Sequence, residues 1–200
     1  IGISLKKMQS GASLSAKNVF TDMKFCKDYA GYEYSGKSID GYIKLSGGTK
    51  IQFRSFGAGL GLTGFQGEVK GANANQGKIG LGPLNMILRA HGISEISTNA
   101  ASRVRTDPDS VFDEIAVGLK KYARLTNKQI EELKENDKIV TPKFLYSKLQ
   151  VTDLINTLES IRTKKVRDQL VEDIYLYASS QSRFSSAYYK LEWRTHTSNI

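Results

Sequence analysis

The chain has 200 residues, 40% hydrophobic and 24% charged, with a formal net charge of +9 and a pI near 9.5. That is enough apolar material for a packed core, which excludes wholesale disorder, and the basic balance favours a polyanionic partner: DNA, RNA or an anionic membrane surface. One cysteine, Cys26, and two histidines, His91 and His196, exclude an internal disulfide and a zinc site of the usual ligand set.

A single cysteine fits a reducing compartment. No apolar run approaches the roughly 20 residues that span a bilayer, and no secretory signal is legible, so no membrane partner is expected. A chain that opens on Ile1 rather than Met reads as a processed product, a fragment, or part of something longer.

The first half reads as strands. Residues 1–8 alternate apolar and polar before turning basic at Lys6 and Lys7. Residues 10–17 are small, polar and loop-like. Residues 18–29 alternate loosely around Val19, Met23 and Phe25, with Cys26 as a small buried hydrophobe. Residues 40–45 (DGYIKL) and 50–56 (KIQFRSF) are stronger strands, and Ser46-Gly47-Gly48-Thr49 between them predicts a hairpin. A glycine-rich turn at 57–64 leads to a fourth strand at 65–71 (FQGEVKG) and a loop at 72–82. Residues 83–90 predict a short helix with Pro83 in its first turn and His91 at its end, where the helix dipole favours it.

The second half reads as helices. Asp107-Pro108 is a start signal, and Val111, Phe112, Ile115, Ala116, Leu119 and Tyr122 follow at helical spacing. Thr126 and Gln129 form a capping box ahead of Ile130 and Leu133. Pro142 opens a short helix through Leu149, and Thr152 caps another carrying Leu154, Ile155, Leu158 and Ile161. Val166, Leu170, Ile174 and Tyr177 mark the last one, and residues 187–193 (AYYKLEW) predict a closing strand. The expected class is α+β: a mostly antiparallel N-terminal sheet, a helical second half, and a last strand returning to the sheet. A composition shift near 94–106 divides a basic, glycine-rich region (1–93) from a helical one (94–200), expected to form one continuous body.

Charge is spread unevenly. Residues 1–100 carry 12 Lys/Arg against 6 Asp/Glu, and residues 101–200 carry 17 against 14. Between residues 41 and 93 lie Lys44, Lys50, Arg54, Lys70, Lys78 and Arg89, with Glu68 as the one acid. These cations are the candidate phosphate ligands, accompanied by Tyr42, Gln52, Phe53, Phe56, Phe65, Gln66, Asn73 and Asn75. Helical basics such as Lys120, Lys121, Arg124, Lys164, Lys165 and Arg167 read first as a solvated face. The last three open a helix, where cations oppose the dipole and a phosphate would relieve them.

Glu68-Val69-Lys70 carries the chemical candidate. Strand alternation places Glu68 and Lys70 on one face, one pleat apart. There the carboxylate could hold Mg²⁺ while the ammonium assists an attacking water. Phosphodiester hydrolysis by this route needs a second carboxylate, and Asp40, opening the nearest strand, is the candidate. An exposed ion pair is the simpler alternative.

Gly59-x-Gly61-x-x-Gly64 matches a dinucleotide fingerprint in letters only, because a strand rather than a helix follows it. Gly71 to Gly77-Lys78 fails as a phosphate loop, with the wrong spacing and Ile79 where Ser or Thr is needed. The glycines either let backbone amides approach phosphates or simply make tight turns and bulges.

The runs Ile3-Ser4-Leu5-Lys6-Lys7, Gln52–Phe56, Phe65–Gly71 and Gly77-Lys78-Ile79-Gly80, with the closing Ala187–Leu191, resemble uncharacterised proteins of tailed bacteriophages similar to PD-(D/E)XK nucleases. The likeness covers mostly residues 1–90. It implies a DNA-handling protein of the host cytoplasm or virion, with Asp40 and Glu68 on Mg²⁺ and Lys70 or Lys6 assisting the water. In the usual pattern a metal-binding Asp precedes the ISLKK strand, and this chain starts after that point. The alternative implied is a non-catalytic virion structural protein that contacts DNA or neighbouring subunits through the same basic face.

Overall fold

The structure, a computed structural model, describes residues 2–5, 28–56, 64–71, 77–179 and 188–191. Its strands in chain order are β1 (Gly2–Leu5), β2 (Tyr29–Tyr34), β3 (Gly41–Leu45), β4 (Lys50–Phe56), β5 (Gly64–Lys70), β6 (Lys78–Gly80) and β7 (Tyr188–Leu191). The helices are α1 (Leu81–Ala90), α2 (Ala100–Thr106), α3 (Pro108–Tyr122), α4 (Asn127–Lys134), α5 (Pro142–Ser160) and α6 (Lys164–Ala178). The class is α+β, as the patterning predicts.

Strands β2 to β6 form one antiparallel sheet in sequential order. Short connections make neighbours in sequence neighbours in space. The Ser46–Gly48 turn closes the β3–β4 hairpin as expected, with Gly47 and Gly48 both at positive φ. There the glycines accept backbone angles that side-chain-bearing residues resist. The closing strand does pair, but not with this sheet. β7 lies parallel to β1 in a separate two-stranded sheet.

Strand β2 is absent from the sequence reading. Its sequence, YAGYEY, lacks aliphatic alternation. A register shift between Tyr29 and Gly31 puts Tyr29, opposite Leu45, on the same inner face as Tyr32 and Tyr34. The tyrosines then pack inward, Tyr32 and Tyr34 each meeting Tyr122 of α3 edge to face.

Helix α5 runs unbroken for 19 residues where two shorter helices are expected. Thr152 reads as a cap by composition but is buried mid-helix, its hydroxyl 2.8 Å from the Tyr34 hydroxyl. The tertiary hydrogen bond satisfies the group that would otherwise favour a helix end. Residues 144–152 are buried on every side of α5, because the sheet covers one flank and α2 and α3 the other. Close approach to the sheet occurs at Gly41, where a Cβ would lie 2.2 Å from Val151 Cγ1. The Asp107 cap on α3 and the Thr126/Gln129 capping box on α4 form as read.

One core draws on both regions: Ile43, Ile51, Phe53, Val69 and Ile79 from the sheet, with Leu84, Ile115, Leu149, Leu158 and Ile174 from the helices. No helix among the described residues is long and apolar enough to cross a membrane.

Candidate nucleic-acid interface

Alternation along β3, β4 and β5 divides the sheet into two chemically different faces. Ile43, Leu45, Ile51, Phe53, Phe65 and Val69 point to the helices and are buried. Tyr42, Lys44, Lys50, Gln52, Arg54, Phe56, Gln66, Glu68 and Lys70 take the intervening positions and so share the opposite face.

Register then fixes which side chains meet. Lys44, Lys50 and Lys70 form one cross-strand row, since Lys44 pairs with Lys50 and Lys50 with Lys70. At ~4.8 Å between strands the row spans about 10 Å. Next to it runs Glu33, Tyr42, Gln52, Glu68 and Lys78. Five of the six candidate cations, Lys44, Lys50, Arg54, Lys70 and Lys78, therefore share this face with two acids, Glu33 and Glu68. Lys44 and Lys78 are exposed, and the Lys50, Arg54 and Lys70 side chains keep 41%, 41% and 43% of their surface.

Glu68 sits within this field. Lys70 Nζ is 3.0 Å and Arg54 Nη2 3.6 Å from Glu68 Oε2. The Lys70 hydrogen bond, outweighing partial desolvation and aided by the charges of Lys70, Lys78 and Arg54, holds its carboxyl below the usual carboxylate range. Lys50 pairs with Glu33 at 3.1 Å and lies 5.1 Å from the centre of the Tyr42 ring, while Gln52 Nε2 donates to the Tyr42 hydroxyl. Lys50, Arg54 and Lys70 are thus paired with Glu33 and Glu68, while exposed Lys44 and Lys78 leave the face with an excess of positive charge.

Asp40 does not join it. Its chain position lies one residue before Gly41, whose neighbours across the sheet are Phe53 and then Gly67. Asp40 and Glu68 are thus two strands across and two residues along from one another, about 12 Å apart in the sheet. The Asp40 carbonyl instead accepts from Lys148 Nζ at 2.9 Å, and its Oδ1 is buried without a hydrogen-bond partner. The residues flanking Glu68 across the sheet are Gln52 and Lys78, neither an acid. The pair Asp40 and Glu68 does not fit a shared Mg²⁺, and no group of three or more His, Cys, Asp or Glu gathers among the described residues.

Arg89 also lies elsewhere. It closes α1 in the helical layer, with Glu95 Oε1 2.6 Å from its Nη2. His91, the C-cap of α1, places Nε2 2.7 Å from the buried Asp173. Lys6 and Cys26 fall outside the described residues. Of the cations opening α6, Lys164 pairs with Asp168 and Asp28, and the Arg167 guanidinium lies 4.7 Å from the centre of the Tyr29 ring.

Two contributors escape a reading of the sequence. Glu33, partner of Lys50, belongs to the strand that the bulge conceals. Lys148 is fully buried in α5 with its Nζ 4.3 Å from the Tyr34 ring centre, and burial, against the opposing pull of Asp40, lowers its pKa to about 7. A lysine flanked by Leu145, Tyr146 and Leu149 was its available signal.

Comparison with known proteins finds no matching family model, no matching curated protein and no matching solved structure.

Proposed function

We propose that the protein binds nucleic acid without cleaving it, through the outer face of the five-stranded sheet. One observation carries this reading: among the described residues, Lys44, Lys50, Arg54, Lys70 and Lys78 share that face with two acids, Glu33 and Glu68. Clustered cations release counterions from a phosphate backbone on binding, which is the main source of sequence-independent affinity. The likeness of residues 1–90 to tailed-phage proteins adds a setting, a virion or DNA-handling component in the host cytoplasm. A Mg²⁺-dependent nuclease is the weaker reading, because Glu68 has Gln52 and Lys78 rather than a second carboxylate beside it.

The test combines two assays on the full chain. DNA affinity measured across a salt series should fall linearly in log–log form, with a slope near −0.9 per neutralised phosphate for a duplex or −0.7 for a single strand. Plasmid incubated with protein and Mg²⁺ should stay supercoiled. Nicking that disappears in Glu68→Ala and Lys70→Ala would establish the nuclease instead. Absence of salt-sensitive binding would remove both readings and leave a structural protein whose basic face meets an acidic protein neighbour.

A further inference from the structure

Register lays the lysines of the outer face out as a line across the strands. Lys44, Lys50 and Lys70 stand level on β3, β4 and β5, and Lys78 stands on β6, two residues along and directly across from Glu68. Three strand steps of ~4.8 Å and one two-residue step of ~6.8 Å put Lys44 and Lys78 about 16 Å apart. Both ends are exposed, and neither pairs with an acid among the described residues. The middle two are paired, Lys50 with Glu33 and Lys70 with Glu68. Ion pairs so open to solvent are weak, so a phosphate displaces the carboxylate at little cost.

Arg54 is the fifth cation of the face, and it lies off this line. It is four residues from Lys50 along β4, about 13 Å. The row between them carries both acids, Glu33 and Glu68, and Glu68 Oε2 is 3.6 Å from Arg54 Nη2. A polyanion lying over the lysines therefore meets repulsion before it reaches Arg54. The same row holds two groups able to read a base, Tyr42 and Gln52, and they are committed to each other. Gln52, only 6% exposed, donates its Nε2 to the Tyr42 hydroxyl, and Lys50 Nζ stands 5.1 Å from the centre of the Tyr42 ring. What remains on offer to a ligand is cationic, and contacts to phosphate position a nucleic acid without reading its sequence.

We propose that the nucleic acid crosses the strands of the sheet from Lys44 over Lys50 and Lys70 to Lys78, held by its phosphate backbone without contact to the bases. This rests on the binding function proposed above and specifies which part of the ligand is recognised and by which cations.

Fluorescence anisotropy on the full chain, across a salt series, separates the two claims. The probes are a labelled oligothymidylate and an abasic oligomer of equal length and charge. The two should bind equally well, because both present the same phosphates. Lys44→Gln and Lys78→Gln should each flatten the salt slope on oligothymidylate by about 0.7, while Arg54→Gln, which removes the same charge from the same face, should leave the slope unchanged. An abasic oligomer bound about tenfold more weakly would show base contact. A slope flattened as much by Arg54→Gln as by Lys78→Gln would show a diffuse patch. Either result would overturn the backbone track while leaving nucleic-acid binding standing. If neither probe binds, the underlying function fails as well.

Discussion

Glu68 and Lys70 stand one pleat apart on the outer face of β5, with Lys70 Nζ 3.0 Å from Glu68 Oε2. The pair is the strongest chemical signal in the sequence, and its surroundings decide its meaning. Three cations contribute to holding the carboxylate in its charged form, and no second acid stands across the sheet from it. A carboxylate so placed orders the cations around it and subtracts from their attraction for phosphate.

Removing that charge while keeping its shape should strengthen polyanion binding. Glu68→Gln is expected to bind oligonucleotides about fivefold more tightly at low salt, by the Coulomb energy of one charge near solvent. Stability should change by less than about 1 kcal/mol, since the ion pair is largely exposed. A catalytic Glu68 would show the reverse pattern, with lost cleavage and little gain in affinity. Affinity by anisotropy, with a urea melt on the same sample, checks both.

Lys148 is fully buried, and desolvation lowers its pKa from 10.5 to about 7. As pH falls from about 10 towards 7, the unfolded chain takes up a proton that the folded chain does not. Stability therefore declines through that window and levels off below it. Lys148→Met removes the cost and should stabilise the protein by roughly 1–4 kcal/mol at pH 7, despite losing the bond to the Asp40 carbonyl. Urea unfolding from pH 7 to 10 should show this advantage shrinking as pH rises. An advantage that is flat with pH would mean the amine is not the cause.

Asp153 shows the opposite linkage. Burial, with Glu114 nearby, raises its pKa from 3.8 to about 6 against the opposing pull of Arg103. Between about pH 4 and 6 the folded state holds a proton that the unfolded state has released, so this group's contribution to stability falls as pH rises through that window. Asp153→Asn should therefore raise the melting temperature at pH 7, by an effect of order 1 kcal/mol after solvent screening, and should make little difference at pH 4. Thermal melts of both proteins at the two pH values provide the comparison.

The parts legible in the sequence are those whose causes are local. Asp107-Pro108, the Thr126/Gln129 box and the Gly47-Gly48 turn each act within four or five residues, and each forms. The assignment of Glu68 and Lys70 to one face needs only strand alternation and survives for the same reason. What failed depends on distant partners. Thr152 cannot cap a helix once Tyr34 holds its hydroxyl, 118 residues away in sequence. The Asp40 carbonyl accepts from Lys148, 108 residues further on, and no local pattern reveals that contact. Strand β2 is hidden by a bulge that places tyrosines inward without simple alternation.

The most direct measurement compares two variants of equal charge. One is Lys44→Ala/Lys50→Ala/Lys70→Ala on the sheet face, and the other is Lys120→Ala/Lys128→Ala/Lys138→Ala at exposed positions outside the sheet. If the face holds nucleic acid, the first should weaken oligonucleotide binding and flatten the salt slope by about 0.7 for each single-strand contact removed, while the second leaves both close to wild type. Equal losses in the two variants would show that binding follows net charge alone, and the sheet face would have no special part in it.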